Sequence, residues 1–154
     1  MVGVINPIVD AAEAIEAALA GAPSDWDTSS ERLLDEYARA QTLPARNQLE
    51  RTEGWLALAP ARGPIRAALL RTAGLICLRE QLWGKAKGYL QESLAEERHP
   101  ATFLALARLA EAVGDNADAA TQYREAALGF THLPPPIIES PVAALRPGVR
   151  ETGS

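Results

Sequence analysis

When the chain is slid 33 residues along itself, its second half falls into register with its own middle. Leu70 aligns with Phe103, Ala73 with Leu106, Gly74 with Ala107, Ala86 with Ala119, Leu90 with Tyr123 and Ser93 with Ala126, and each pair agrees in size or polarity. A period of this length is one supersecondary unit, too small to bury its apolar face alone, so neighbouring copies must stack. The units are helical, because their apolar residues recur at three- and four-residue spacing. Composition agrees: Ala fills 30 positions and Leu 20, while aromatics are 5% and β-branched residues are sparse.

The same periodicity predicts seven helices. The first, near 7 to 20, opens at Pro7 and ends before Gly21 and Pro23. Ser29 or Ser30 caps a second through Leu33, Leu34 and Tyr37, closed by Thr42 and Pro44, and a third carries Leu49, Thr52, Trp55 and Leu56 to Pro60. The fourth, near 65 to 80, holds Leu69, Leu70, Ala73, Cys77 and Leu78; the fifth, near 83 to 97, holds Ala86, Leu90, Ser93 and Leu94. After His99 and Pro100 the sixth runs through Phe103 and Leu106 to Gly114, and the seventh through Ala119 and Tyr123 to about Phe130. Three consecutive prolines after Leu133, then Pro141 and Pro147, make residues 133 to 154 an extended or disordered tail.

The spacing resembles the tetratricopeptide template: a large residue, Leu-Gly three on, an aromatic, Ala in the second helix and an aromatic four later. Here it reads Leu70, Ala73-Gly74, Cys77, Ala86, Leu90, then Phe103, Leu106-Ala107, Ala110, Ala119, Tyr123. Gly74 and Ala107 would sit where two helices cross too closely for a large side chain, with Ala86 and Ala119 opposite and Trp83 packed over the intervening turn. The template's closing proline is displaced, for Pro100 and Pro134 come late. The expectation is an all-α, right-handed solenoid over residues 1 to 132. Repeats at 65 to 97 and 100 to 130 would stack on capping and degenerate helices at 7 to 60. Its concave groove would present Arg71, Leu75, Leu78 and Arg79 from one repeat and Leu104, Arg108 and Glu111 from the next. The positions that clamp a peptide carboxylate in one tetratricopeptide subfamily carry Arg71, Leu75, Leu104 and Ala105 here, which departs from that pattern. A protein segment with apolar and acidic residues is the better fit to Arg and Leu.

Charge excludes more than it selects. Residues 1 to 36 carry a net −7, residues 37 to 90 a net +6 and residues 91 to 154 a net −4. The basic middle is flanked by acid, and only two of its cations are Lys, so no coherent basic face is offered to nucleic acid. No apolar run reaches the ~18 residues of a membrane span. One cysteine permits no intrachain disulfide, which makes a cytosolic type of interior the default. Cys77 occupies an inward position and reads as a core thiol; His99 and His132 have no second ligand beside them; Glu96-Glu97 and Asp115 to Asp118 read as solvated helix ends. No nucleophile, base and oxyanion donor are grouped, so neither an enzyme nor a resident cofactor is expected.

The run Cys77-Leu78-Arg79-Glu80-Gln81-Leu82-Trp83-Gly84-Lys85-Ala86-Lys87-Gly88-Tyr89-Leu90-Gln91-Glu92-Ser93-Leu94 resembles the C-terminal tetratricopeptide region of the proteobacterial HemY family. Trp26-Asp27 before Arg32-Leu33 and Tyr37, Gln48-Leu49 before Trp55-Leu56, and Tyr123-Arg124 extend the likeness over roughly residues 20 to 130. The resemblance implies an interaction or scaffold role near the terminal enzymes of haem biosynthesis, at the cytoplasmic face of the inner membrane. The chain lacks the family's two membrane spans, so the likeness implies a soluble piece of such a protein or a shortened relative. Two other functions stay open at this point. One is a haem or porphyrin carrier using Cys77, His99 or Tyr123; the other is a structural homo-oligomer joined through exposed helix ends.

Overall fold

A computed structural model describes the backbone of residues 7 to 131 and the side chains of residues 11 to 131; the tail at 133 to 154 and His132 lie outside them. Seven α-helices follow one another, with no strand among the described residues: α1 (Pro7–Ala18), α2 (Thr28–Arg39), α3 (Ala45–Leu58), α4 (Pro64–Arg79), α5 (Trp83–Glu96), α6 (Pro100–Ala112) and α7 (Asn116–Thr131). A 3-10 turn, Pro23–Asp25, stands between α1 and α2. Capping explains several ends. Asp27, not Ser29 or Ser30, is the N-cap of α2: its Oδ1 accepts from Ser29 and Ser30 N–H, and Ser30 Oγ accepts in return from Asp27 N–H. Ser29 Oγ also donates to Asp27 at 2.6 Å, which holds that carboxyl below its usual range. Pro64 and Pro100 occupy the first turns of α4 and α6, where a missing N–H costs nothing.

The 33-residue register survives as geometry. At the end of α4, Leu82 N–H donates to Cys77 C=O and Gln81 N–H to Leu78 C=O; at the end of α6, Asp115 N–H donates to Ala110 C=O and Gly114 N–H to Glu111 C=O. Both are Schellman turns, and each residue of the first stands 33 before its counterpart. The left-handed residue is Gln81 in one (φ 61°) and Gly114 in the other (φ 84°). Leu82 and Asp115 then accept the first helical bonds of α5 and α7 from Ala86 and Ala119. The two turns fold α5 back on α4 and α7 back on α6; α4 also packs on α2 and α3, and α6 on α5 and α4.

Small residues set the closest crossing. A Cβ on Gly74 would lie 2.7 Å from Leu90 Cγ and Cδ2, so α4 and α5 approach to a distance only glycine permits. Ser93 adds a bond across the same pair, its Oγ donating to Ala67 C=O at 2.7 Å. The buried stripe of α5 is Ala86, Leu90 and Ser93; that of α3 is Gln48, Thr52 and Trp55, with the same spacing. In α3 a glutamine stands where α5 has alanine. The backbones of α2 and α3 scarcely meet. Gln48 bridges the gap, its Nε2 donating to Tyr37 C=O at 2.9 Å and Ala40 C=O at 2.7 Å. Trp55 fills the rest, edge-on to Tyr37 and Trp26 with ring centroids 5.4 Å apart in each case. Two apolar clusters result. One gathers Ala12, Leu19, Leu34, Tyr37, Trp55, Ala68 and Leu69; the other gathers Cys77, Ala86, Leu90, Ala105, Leu106 and Leu109, with Leu75, Leu78 and Trp83 packed against it.

Candidate functional site

The residues expected to line a groove divide into two groups. Leu75, Leu104 and Arg108 do meet, around a cleft of about 150 Å³ completed by Ala38 and Arg39 of α2 and Ala101 and Ala105 of α6. The α6 contribution follows from spacing, since Ala101, Leu104, Ala105 and Arg108 fall on one helical stripe. The two alanines there leave the space that larger side chains would close. Leu75 and Leu104 are half-buried and Arg108 is exposed. Among the described residues no carboxylate pairs with Arg39 or Arg108, so both cations are free to meet an anion.

Arg71 and Arg79 are corrected from groove cations to structural ones. Arg71 is 1% exposed, with Nε and Nη2 donating to Asp35 Oδ1 at 3.3 and 3.2 Å. The pair ties α4 to α2, and Nη1 is buried with no hydrogen-bond partner. Arg79 donates from Nη2 to Gln48 Oε1 at 2.6 Å and from Nη1 to Ala38 C=O at 3.1 Å, while its Nε lies 3.7 Å from Glu80. It thus satisfies the end of α2 and completes the Gln48 bridge. Leu78 is half-buried against the second core, and Glu111 accepts a hydrogen bond from the exposed Tyr123 hydroxyl, raising that phenol's pKa.

Around Arg71 gathers an acidic group that the repeat alignment does not reveal, because it leaves α2 out. Glu31, Asp35 and Arg39 recur every fourth residue on α2, and Glu97 enters from the loop before α6. Burial and the nearby Glu97 push the Glu31 carboxyl above its ordinary value. Glu97 Oε1 is buried without a partner. Between these acids and α6 stands His99, which caps that helix: its Nδ1 accepts from Ala101 N–H at 3.1 Å. Burial, reinforced by Arg71, lowers its pKa.

The three side chains suggested for haem ligation are dispersed. Cys77 is buried beside a cavity of about 250 Å³ between α3 and α4, and burial raises its thiol pKa. His99 is engaged as a cap and Tyr123 lies on α7 bonded to Glu111. Among the described residues there is no group of three or more His, Cys, Asp or Glu placed to hold a metal ion, and no helix long and apolar enough to cross a membrane. A wider, open cavity of about 540 Å³ lies between α3 and the 3-10 turn, lined by Pro23, Asn47, Glu50, Arg51, Trp55 and Leu58 among others. Comparison with protein-family models, curated proteins and solved structures finds no match to this chain.

Proposed function

We propose that the chain is a tetratricopeptide-type helical repeat domain that docks a segment of another protein and performs no catalysis. The observation that carries this reading is the cleft where Leu75, Leu104, Arg39 and Arg108 converge from three helices. Half-buried leucines supply dry contact, and guanidinium groups flanking them supply oriented donors, a combination suited to a peptide. The equivalent Schellman turns and the Gly74 crossing support stacked repeats, with α2, α4 and α6 as the groove-forming helices. The likeness of Leu82-Trp83-Gly84 through Ser93-Leu94 to the HemY family makes the terminal enzymes of haem biosynthesis the first partners to try, at the cytoplasmic face of the inner membrane.

The test is capture of those enzymes by the immobilised chain, compared with an Arg39→Glu/Arg108→Glu variant and with Leu104→Glu. Both variants should abolish capture while leaving the circular-dichroism spectrum and melting unchanged. Capture that survives in both, with the fold intact, would remove the groove from the mechanism.

A second reading is favoured by a separate observation. Val113, Leu128 and Phe130, on the last helix pair, are 51%, 51% and 46% exposed. Such a surface can join copies of this chain end to end. Light scattering across a concentration series checks it, with Leu128→Glu/Phe130→Glu expected to return any dimer to monomer.

A further inference from the structure

The groove has a charge order as well as an apolar centre. Along α2, Glu31, Asp35 and Arg39 share one face, so the sign changes from negative to positive over eight residues, about 12 Å of helix. On the α6 side the order recurs, Glu97 before the helix giving way to Leu104 and then Arg108, while α4 contributes Leu75 to the apolar centre. At the acidic end the charge of Arg71 is met by Asp35 at 3.2 Å. No ion pair reaches Glu31 or Glu97 among the described residues, and Arg71 only partly offsets the charge of Glu31. Burial first, and repulsion from Glu97 second, raise the pKa of Glu31. At the other end Arg39 and Arg108 flank the cleft without a carboxylate.

An extended peptide advances about 3.3 Å per residue and turns alternate side chains to the same side. Three such side chains, at positions one, three and five, span about 13 Å, the length over which the groove passes from acid through Leu75 and Leu104 to base. We propose that the groove takes an extended protein segment carrying a Lys or Arg, an apolar residue and an Asp or Glu at successive alternate positions. The cation lies against Glu31 and Glu97, the apolar side chain enters the cleft between Leu75 and Leu104, and the carboxylate meets Arg39 and Arg108. This rests on the groove reading above and adds to it a basic residue that an apolar and acidic partner would lack. Opposite charges at both ends fix the register of the segment, and a segment of a single sign meets repulsion at one end.

Three synthetic peptides test the order, each acetylated, amidated and flanked by Gly-Ser: Lys-Ala-Leu-Ala-Glu, Lys-Ala-Leu-Ala-Lys and Glu-Ala-Leu-Ala-Glu. Titrated into the isotope-labelled full chain, the first should shift the backbone amides of Arg39, Leu75 and Leu104 and bind about fivefold or more tighter than either of the others. In the Arg39→Glu/Arg108→Glu variant the preference should pass to the peptide with two lysines, and in a Glu31→Lys/Glu97→Lys variant to the peptide with two glutamates. Equal affinity for all three peptides in the unaltered chain would overturn the charge order and leave the groove standing. Absence of shifts in the groove with every peptide would overturn both.

Discussion

Gly74 and Leu90 meet where α4 crosses α5, so closely that the first carbon of any side chain at residue 74 would stand 2.7 Å from Leu90 Cγ. Leu90 is fully buried, so any shift that relieves the contact disturbs close-packed neighbours. Gly74→Ala should therefore lower stability by about 1 to 3 kcal/mol despite alanine's better helix propensity. Gly54, in α3, has nothing within 4 Å of the same position, so Gly54→Ala should raise stability by about 0.5 to 1 kcal/mol. Urea denaturation of the two variants measures both signs; a stabilised Gly74→Ala would mean that Leu90 yields at the crossing.

The paired turns give a second contrast. Gln81 holds a left-handed conformation that Gly114 adopts freely in the equivalent turn. Gln81→Gly should add about 0.5 to 1 kcal/mol, and Gly114→Gln should remove about 1 kcal/mol. Thermal melts showing the same sign for both exchanges would contradict the equivalence of the two turns.

Two arginines that look alike in sequence should behave differently. Arg71→Glu places a carboxylate in a buried site beside Asp35 and should cost about 3 kcal/mol or more. Arg108→Glu, on an exposed helical position, should change stability by less than about 0.5 kcal/mol. Comparable melting of the two variants would return Arg71 to the solvent-facing role its helical position alone suggests.

His99 should make the fold sensitive to acid. Its Nδ1 accepts the Ala101 N–H, and its burial near Arg71, with Asp35 of α2 and Glu97 of the preceding loop opposing, lowers its pKa from the usual 6.5. The unfolded chain takes up the proton as pH falls through 6.5 while the folded chain resists, so this contribution to stability declines below that pH. Glu31 acts in the opposite sense. Its folded pKa is raised above 4.5, so its contribution is full below that value and is lost as pH rises through the raised one. His99→Asn keeps a capping acceptor and removes the titration. Its melting temperature should gain on that of the unaltered chain as pH is taken from 7.5 to 5.0; a constant difference would show that His99 is not the titrating cap.

Period and composition carried much of the architecture because a helix reports its buried stripe directly. Leu70, Ala73, Ala86 and Leu90 are buried as their spacing requires, and the helix ends fall within a few residues of those expected from Pro, Gly and cap residues. That Leu75, Leu104 and Arg108 meet at one cleft was legible on the same grounds. Arg71 was not, because its burial depends on Asp35, 36 residues away in a helix outside the 33-residue register. Arg39 and Glu31 were missed, and Glu97, with one carboxylate oxygen buried, was misread as a solvated helix end, for a related reason: a helical wheel shows that charges share a face, and only packing shows what that face looks onto. The tail after Leu133 lies outside the described residues.

Gln48 has a consequence for how such a chain can lengthen. The two helix pairs related by 33 residues present matching turns, and each pair closes on itself in the same way. The joint between α2, α3 and α4 is of another kind: Gln48 is wholly enclosed, and Arg79 supplies the bond its carbonyl oxygen needs. A duplicated unit inserted after α3 would have to end its first helix in an arginine to keep Gln48 satisfied. A copy of the α6–α7 unit could not do so, because α6 has Ala112 where α4 has Arg79. Duplication at the α3–α4 joint would therefore leave one enclosed amide oxygen without its donor.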